Sequence, residues 1–436
     1  MTDLATRTAP PRGGALRRAA PALLGYAAVR ALGLVVLAVW SGAHGKSAHT
    51  LLTARWDALW YTRVAGLGYG YEVRLPNGDV HSDLAFFPLL PWLERLLHAV
   101  TPLSYADAGF AVSLLASLAA AWGIFAVADR VHGRGDRERG EACLRAGDGG
   151  RRVGVCAVLL WAVLPVGIVE SMAYSESLFT ALAAWSLYAV LTGRWPAAGA
   201  LAALAGLTRP VGLAVAAAVW AAGIASFGRE RSTADPGAAH AGEHAPAPSA
   251  HSPSGRDPAS EGAPGTAYAP GTARRALALF VAPLGAAGYV LWVGHHTGRG
   301  PLGYLDVQAG WRNGFDGGAA FARFVAGELT SFPSVLAGLG TIAGVGLVIG
   351  AYAVCVRRRQ PLPLLVYAGV VTALALCASS YFGSKPRLLL PAFPLLLPLA
   401  VPLARLRTSR SALVVCGVAA ASAVYGAFWL NGSGPP

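Results

Sequence analysis

Long runs of uncharged, apolar residues constrain this chain more than any other feature. Residues 20–42, 106–128, 153–169, 276–294, 332–356, 361–380, 388–404 and 411–430 are each nearly free of charge. A helix needs roughly 20 apolar residues to cross the hydrocarbon layer of a bilayer, and most of these blocks reach or approach that length. No water is available there to pair with backbone N–H and C=O groups, so a spanning segment must satisfy them internally, as a helix does. Only 13% of the residues are charged. Soluble domains carry about 25%, so too few charges exist to cover a water-facing surface of this size. Alternation at barrel spacing is absent, and abundant Gly and Ala suit close helix contact in lipid. The expected fold is all-α, a polytopic transmembrane helical bundle of about 11 membrane helices, two of them short.

The net charge of +13 would suit a nucleic-acid binder, but its distribution does not. With loops assigned alternately to two sides from a cytoplasmic N-terminus, inside segments hold 23 Lys and Arg against 11 Asp and Glu. Outside segments hold 10 against 11. The excess follows the positive-inside rule. A nucleic-acid surface interleaves basic side chains with stacking aromatics, which the basic loops nearly lack, so no nucleic-acid partner is expected. The arginines before the first apolar block imitate a secretory signal. The block, about 23 residues long, is too long for such a signal and implies an uncleaved helix. Cys143, Cys156, Cys355, Cys377 and Cys416 all avoid outside segments, so no structural disulfide is expected. Neither a metal nor another cofactor is expected.

Residues 1–19 look like a disordered cytoplasmic N-terminus. Residues 20–227 form an N-terminal membrane half whose first outside segment, 43–105, carries the chemistry. Residues 228–275, rich in Pro, Ala, Gly, Ser and His, look like a disordered cytoplasmic linker. Its histidines, His240, His244 and His251, are too loosely spaced for a metal site. Residues 276–436 form a C-terminal membrane half. Within 196–227, Thr208-Arg209-Pro210 interrupts the apolar run while both flanks carry arginines, so two short helices meeting at Arg209 are expected.

In the first outside segment, Leu52, Trp56, Trp60, Val64 and Leu67 recur at helical spacing, with Tyr61 nearby. An amphipathic helix over 51–67, lying in the membrane interface, is expected. A second runs from Ala85 to Val100. Asp57 flanks the aromatic stripe at the membrane border, a setting suited to a general base; the plain alternative is a surface acid paired with Arg55 or Arg63. Asp83 is a second candidate acid, or the N-cap of the Ala85 helix. Arg209, deep in an apolar run, suits phosphate oxygens; alternatively it pairs with Glu176. Glu176 could equally complement the N-terminal dipole of its helix. Arg30 is a weaker candidate of the same kind, the alternatives being that it snorkels inward or pairs structurally. Lys385 and Arg387, between two helices on the outside, could hold an anionic head group. Gln308 and Trp311 are compatible with sugar.

These residues resemble a known family. Arg55-Trp56-Asp57-x-x-Trp60-Tyr61 with Gly68-Tyr69 is followed by Ala85-Phe-Phe-Pro-Leu-Leu-Pro91, Tyr174-Ser-Glu176-Ser-Leu-Phe, Leu207-Thr-Arg209-Pro-x-Gly212 and Pro386-Arg387-Leu…Pro391. In this order they resemble bacterial relatives of the PIG-V-type mannosyltransferases, of the GT-C class of polytopic glycosyltransferases. The resemblance runs from about residue 20 to 430, without the linker. It implies a polyprenyl-phosphate sugar donor, mannose or a related hexose, used on the non-cytoplasmic face of the cell membrane, with Asp57 as base. The acceptor, a glycan or glycolipid, does not carry over. Trp56, Trp60, Tyr61, Glu176, Arg209, Lys385, Arg387 and Gln308 are the expected substrate contacts; Asp57 and Asp83 are the expected catalytic acids. Arginines and a lysine can balance a monophosphate leaving group without a metal. The competing class is a multi-pass transporter or lipid flippase, which predicts internal repeats and acids inside several helices.

Overall fold

The chain, as a computed structural model, is described for residues 12–138, 148–234, 270–379 and 381–432. It is almost wholly helical. After α1 (Arg12–Ala43) come α2 (Ala48–Thr53), α3 (Asp57–Leu67), a hairpin of β1 (Glu72–Arg74) and β2 (Val80–Ser82), and α4 (Leu89–Val100). Next are α5 (Tyr105–Glu138), α6 (Asp148–Ala162), α7 (Ser175–Leu191), α8 (Trp195–Gly206) and α9 (Leu213–Ala234). The second half begins with α10 (Pro270–Val281), α11 (Leu284–His296), α12 (Gly303–Gly310), β3 (Gly314–Phe315) and α13 (Ala319–Glu328). It ends with α14 (Ser334–Arg357), α15 (Leu362–Cys377), β4 (Ala378–Ser379), α16 (Lys385–Leu388), α17 (Leu397–Arg405) and α18 (Thr408–Asn431). β1 pairs with β2 and β3 with β4, both antiparallel.

Among the described residues, six helical stretches are long and apolar enough to cross a membrane: Gly14–Ala43, Tyr105–Gly133, Pro210–Phe227, Gly271–His296, Ser334–Arg357 and Thr408–Asn431. Phe382–Leu388 and Phe393–Arg405, bent by 73°, add a seventh if counted as one span. This is the architecture of a multi-pass membrane protein. Three shorter apolar helices, Ser175–Leu191, Trp195–Gly206 and Leu362–Cys377, stand beside them; the expected count of about eleven, which included short helices, is not confirmed by helix length alone. α6 stops at Ala162, and only a 3-10 segment, Gly167–Ser171, interrupts the path to α7. α8 has 12 residues, about 18 Å of helix, against a layer of about 30 Å.

Three expected boundaries also move. Helix α1 already begins at Arg12, inside the stretch expected to be disordered. Helices α9 and α10 extend into the expected linker from both sides; residues 235–269, with His240, His244 and His251, lie outside the described residues, as does Cys143. The expected 51–67 helix is two helices, α2 and α3, parted at Ala54–Trp56. Leu52 and Trp56 therefore do not continue the face of Trp60 and Val64. The second amphipathic helix begins at Leu89 rather than Ala85, because Phe86 is extended (φ −99°, ψ 124°) just ahead of Pro88.

Helix α5 is central, packing against α1, α4, α6 and α7, while α1 also runs along α18. Tyr26 stacks on fully buried Trp161 at 5.4 Å. Arg30 is tied into this core. Its guanidinium donates to the carbonyls of Ala162 and Gly167, capping the α6 end, and its Nε lies 3.9 Å from Glu170. The Tyr26 hydroxyl donates to the same carboxylate at 2.8 Å. Arg30 thus has the structural pairing that the sequence allowed.

The α8 backbone comes close to α10 and α11 because glycines meet alanines there. A Cβ on Gly285 would overlap the carbonyl oxygen of Ala203. Gly285→Ala is expected to cost about 1–3 kcal/mol, the usual range for overpacking. Gly288→Ala, inside α11 with nothing within 4 Å of its Cβ, should not lower the thermal unfolding temperature.

Glu94, on α4, is fully buried against Gly109 of α5. Neither carboxylate oxygen has a hydrogen-bond partner among the described residues. Burial pushes its carboxyl well above the usual range. The folded state therefore keeps a proton that the unfolded chain releases above about pH 4. The stability this confers is complete below that pH and is lost as pH rises toward the folded-state value. Glu94→Gln should raise the unfolding temperature at pH 7.5 and change little at pH 4; equal effects at both pH values would contradict the assignment.

Candidate functional site

The site is assembled around the first turn of α7. Glu176 lies in that turn, where unpaired backbone N–H groups favour negative charge. It is 2% exposed. A buried carboxylate is costly unless paired and hydrogen-bonded, and here two arginines share one of its oxygens. Arg209 Nη1 stands 2.7 Å from Glu176 Oε1, and Arg387 Nε stands 3.2 Å from the same atom. Arg387 Nη1 in turn lies 2.8 Å from Oδ2 of Asp57. Two cations and two anions, brought from four separate parts of the chain, form one neutral cluster.

Local sequence explains how each member arrives. Arg209 is extended (φ −163°, ψ 155°) in the break between α8 and α9. Pro210 comes directly after it, and a proline disfavours helix in the residue before it. The break expected at Arg209 is therefore present. Arg387 sits on the short helix α16, after a 3-10 turn at Phe382–Ser384. Asp57 is the first residue of α3, directly after Trp56, whose φ of 51° is left-handed. For a bulky side chain that is a rare conformation, costing about 1–3 kcal/mol. It breaks the α2–α3 line at the residue that precedes the acid. Arg55 covers the Trp56 ring at 3.9 Å and donates to the Leu430 carbonyl. Arg63 lies over the Tyr71 ring at 3.3 Å. Arg387, rather than Arg55 or Arg63, pairs with Asp57.

Asp57 is the most exposed member of the cluster: its side chain is 25% exposed, against 13% for Arg209, 10% for Arg387 and 2% for Glu176. Tyr174 supports Arg387, its ring 5.1 Å from the guanidinium. Tyr61 joins α3 to α7, its hydroxyl 2.8 Å from Ser175 Oγ. Burial pushes the Tyr61 phenol up, so it stays neutral and serves as a hydrogen-bonding group, not a base. Beside Tyr61 stands an aromatic wall: Trp60 stacks on Phe86 at 5.6 Å and meets the edge of Trp311 at 5.0 Å. His81 stacks on Trp311 at 4.0 Å. Along α7, two residues past Glu176, begins a groove of about 390 Å³ lined by Leu93, Val112, Leu178, Leu182, Trp185 and Leu201.

Other expected site residues lie elsewhere. Asp83 has no exposed surface, and its oxygens accept from the amides of Gly70 and Tyr71 at 3.0–3.2 Å. Burial raises its carboxyl, and those amides partly offset the shift. It closes the 70–83 loop and is not in the cluster. Nor is it the N-cap; Ser82 caps the 3-10 turn at Asp83–Ala85. Lys385 Nζ donates to the carbonyls of Ala375 and Ala378 at 2.8 Å each, capping the end of α15. Residues two apart on a helical turn face different ways, so only Arg387 reaches the cluster. Gln308 bonds Tyr304 and Asn313, on α12 and just beyond it.

Sequence reasoning singled out neither Tyr174 as a support nor His81 as a ring partner. Tyr174 was visible only as the residue before Ser175-Glu176, and nothing in the sequence pairs His81 with Trp311. Among the described residues, no three His, Cys, Asp or Glu side chains group where a metal could bind. Comparison with protein-family models, curated proteins and solved structures finds no match for this chain.

Breaking the buried half of the cluster should hurt the fold more than breaking the more exposed half. Glu176→Gln is expected to cost about 3–5 kcal/mol, because Arg209 loses its counter-charge and buried Arg387 loses one of its two. Asp57→Asn is expected to cost about 1 kcal/mol or less. Unfolding of the purified variants in detergent compares them; equal losses would contradict this division.

Proposed function

We propose that this chain is an inverting membrane glycosyltransferase. It moves mannose, or a related hexose, from a polyprenyl-phosphate donor to a glycan or glycolipid acceptor. The reaction takes place at the extracytoplasmic border of the cell membrane, with the N-terminus in the cytoplasm. The observation that carries this reading is the convergence of Asp57 with Arg209 and Arg387. A candidate base and two guanidinium groups suited to phosphate lie within one cluster whose most exposed member is the base.

That geometry suits one course of reaction. The acceptor oxygen attacks the anomeric carbon as Asp57 takes its proton. The bond from that carbon to the phosphate oxygen breaks on the opposite side, and the electron pair leaves with the lipid phosphate. Arg209 and Arg387 balance the charge that develops there. Glu176 keeps the two guanidinium groups together. Trp60 and the rings around it offer an apolar face for a sugar, and the α7 groove suits the hydrocarbon chain of the donor. Asp83 acts indirectly, by holding the loop that precedes Phe86. A flippase could also use a broken helix such as α8–α9, but would deliver its lipid unchanged.

Purified protein in liposomes, given radiolabelled polyprenyl-phosphate mannose and a host lipid extract, tests the reading. Wild type should move label into a new product. Asp57→Asn should lower the rate by roughly 10²–10⁴. A loss below tenfold would remove Asp57 from the role of base. Transbilayer movement of intact donor, with no product, would favour the flippase.

A further inference from the structure

Arg387 serves two acids through different atoms, and the two contacts differ in kind. Its Nε is held by Glu176 and its Nη1 by Asp57. The Glu176 contact is buried, and a second arginine shares it. Dissolving it would leave charge uncompensated in a region of low dielectric. The Asp57 contact involves the most exposed of the four side chains, where water or a ligand can replace the carboxylate.

We infer that the phosphate of a lipid-linked donor and the carboxylate of Asp57 compete for the Nη1 edge of Arg387, so that docking the phosphate releases the base. The role given to the released carboxylate rests on the transferase reading; the competition is a binding property and can be measured without turnover.

A guanidinium grips phosphate best with two parallel N–H bonds. With Nε engaged by Glu176, the edge left for such a grip runs through Nη1, which Asp57 occupies. Charge points the same way. Asp57, Glu176, Arg209 and Arg387 together are neutral and attract an anion weakly. Without Asp57 the remaining three carry one positive charge, matching the single negative charge of a sugar phosphodiester.

Release also changes what Asp57 can do. While Oδ2 is ion-paired with Arg387 at 2.8 Å, that oxygen is screened from an acceptor hydroxyl. Once phosphate takes the arginine, Oδ2 is free. The acceptor oxygen then bonds to the anomeric carbon, its proton passes to Asp57, and the bond to the phosphate oxygen breaks. The lipid phosphate leaves with the electron pair and one more negative charge. After Asp57 passes its proton to water, its carboxylate can return to Arg387 and help displace the product. The base is thus available when donor is bound and engaged when the site is empty.

Farnesyl phosphate is a suitable probe, since it carries the phosphate and an isoprenoid chain but no sugar to transfer. Its affinity is measured by calorimetry on the full-length chain in nanodiscs, with inorganic phosphate as a second arm. Asp57→Asn and Asp57→Ala should each bind farnesyl phosphate about 3–10-fold tighter than wild type, the scale of a partly exposed ion pair. Asp57→Glu, which keeps the competing charge, should stay close to wild type. Tightening for both probes assigns the effect to the phosphate group itself. Tightening for farnesyl phosphate alone assigns it to the lipid ester. Unchanged or weaker binding in the Asn and Ala variants, each monodisperse and unfolding near the wild-type temperature, overturns the competition. That result would leave the transfer reaction untouched, just as absence of transfer would not alter a measured competition.

Discussion

A single buried carboxylate oxygen, Oε1 of Glu176, joins three separate parts of the chain. Two arginines lean on it, one from the break between α8 and α9 and one from α16. Buried charges of this kind gain little net stability over apolar packing, but removing one partner is expensive. The arrangement therefore enforces position more than it adds stability. Because Arg387 is fixed at Glu176, its other end is presented to Asp57, and α3 is drawn toward α7. The Tyr61–Ser175 hydrogen bond works in the same direction.

The membrane makes such an anchor necessary. Helices that cross lipid cannot leave charge facing the hydrocarbon, so arginines in apolar segments turn inward to acids or carbonyls. Arg30 and Arg209 obey this rule in different ways. Arg30 caps the end of α6 and approaches Glu170, within the core. Arg209 stands at a helix break, where extended backbone aims it at Glu176. The neighbour on the C-terminal side makes the difference. Ala31 continues a helix, whereas Pro210 stops one.

Much of this was legible in the sequence, for identifiable reasons. The break at Arg209 came from one proline and a charge in an apolar run, both local signals. Asp57 stood out through its aromatic neighbours, and the pairing of Arg209 with Glu176 was among the alternatives it allowed. What was not legible needed geometry. The stripe from Leu52 to Leu67 had helical spacing, yet the backbone turns at Trp56 and splits it. Lys385 and Arg387 are neighbours in sequence, yet a helical turn sends one to the end of α15 and the other to Glu176. Asp83 had the composition of a site acid, but its oxygens are taken by the amides of Gly70 and Tyr71. Six or seven helices among the described residues are long and apolar enough to span, with several shorter apolar helices beside them; hydropathy records apolar length and not where a helix ends.

The sequence by itself determined the solvent and the class. Apolar blocks with so few charges have no stable arrangement other than helices packed in a bilayer, because backbone groups there must pair within the segment. It also supplied the residues with chemistry and the breaks that free them from regular helix. Tertiary structure chose among them. Whether an arginine meets a phosphate, a carbonyl or a carboxylate depends on which helices lie side by side, and contacts between residues 57, 176, 209 and 387 leave no periodic trace in a linear chain. Packing joined Asp57 to Arg387 and left Lys385 and Asp83 outside, because side-chain direction and burial are properties of the folded backbone.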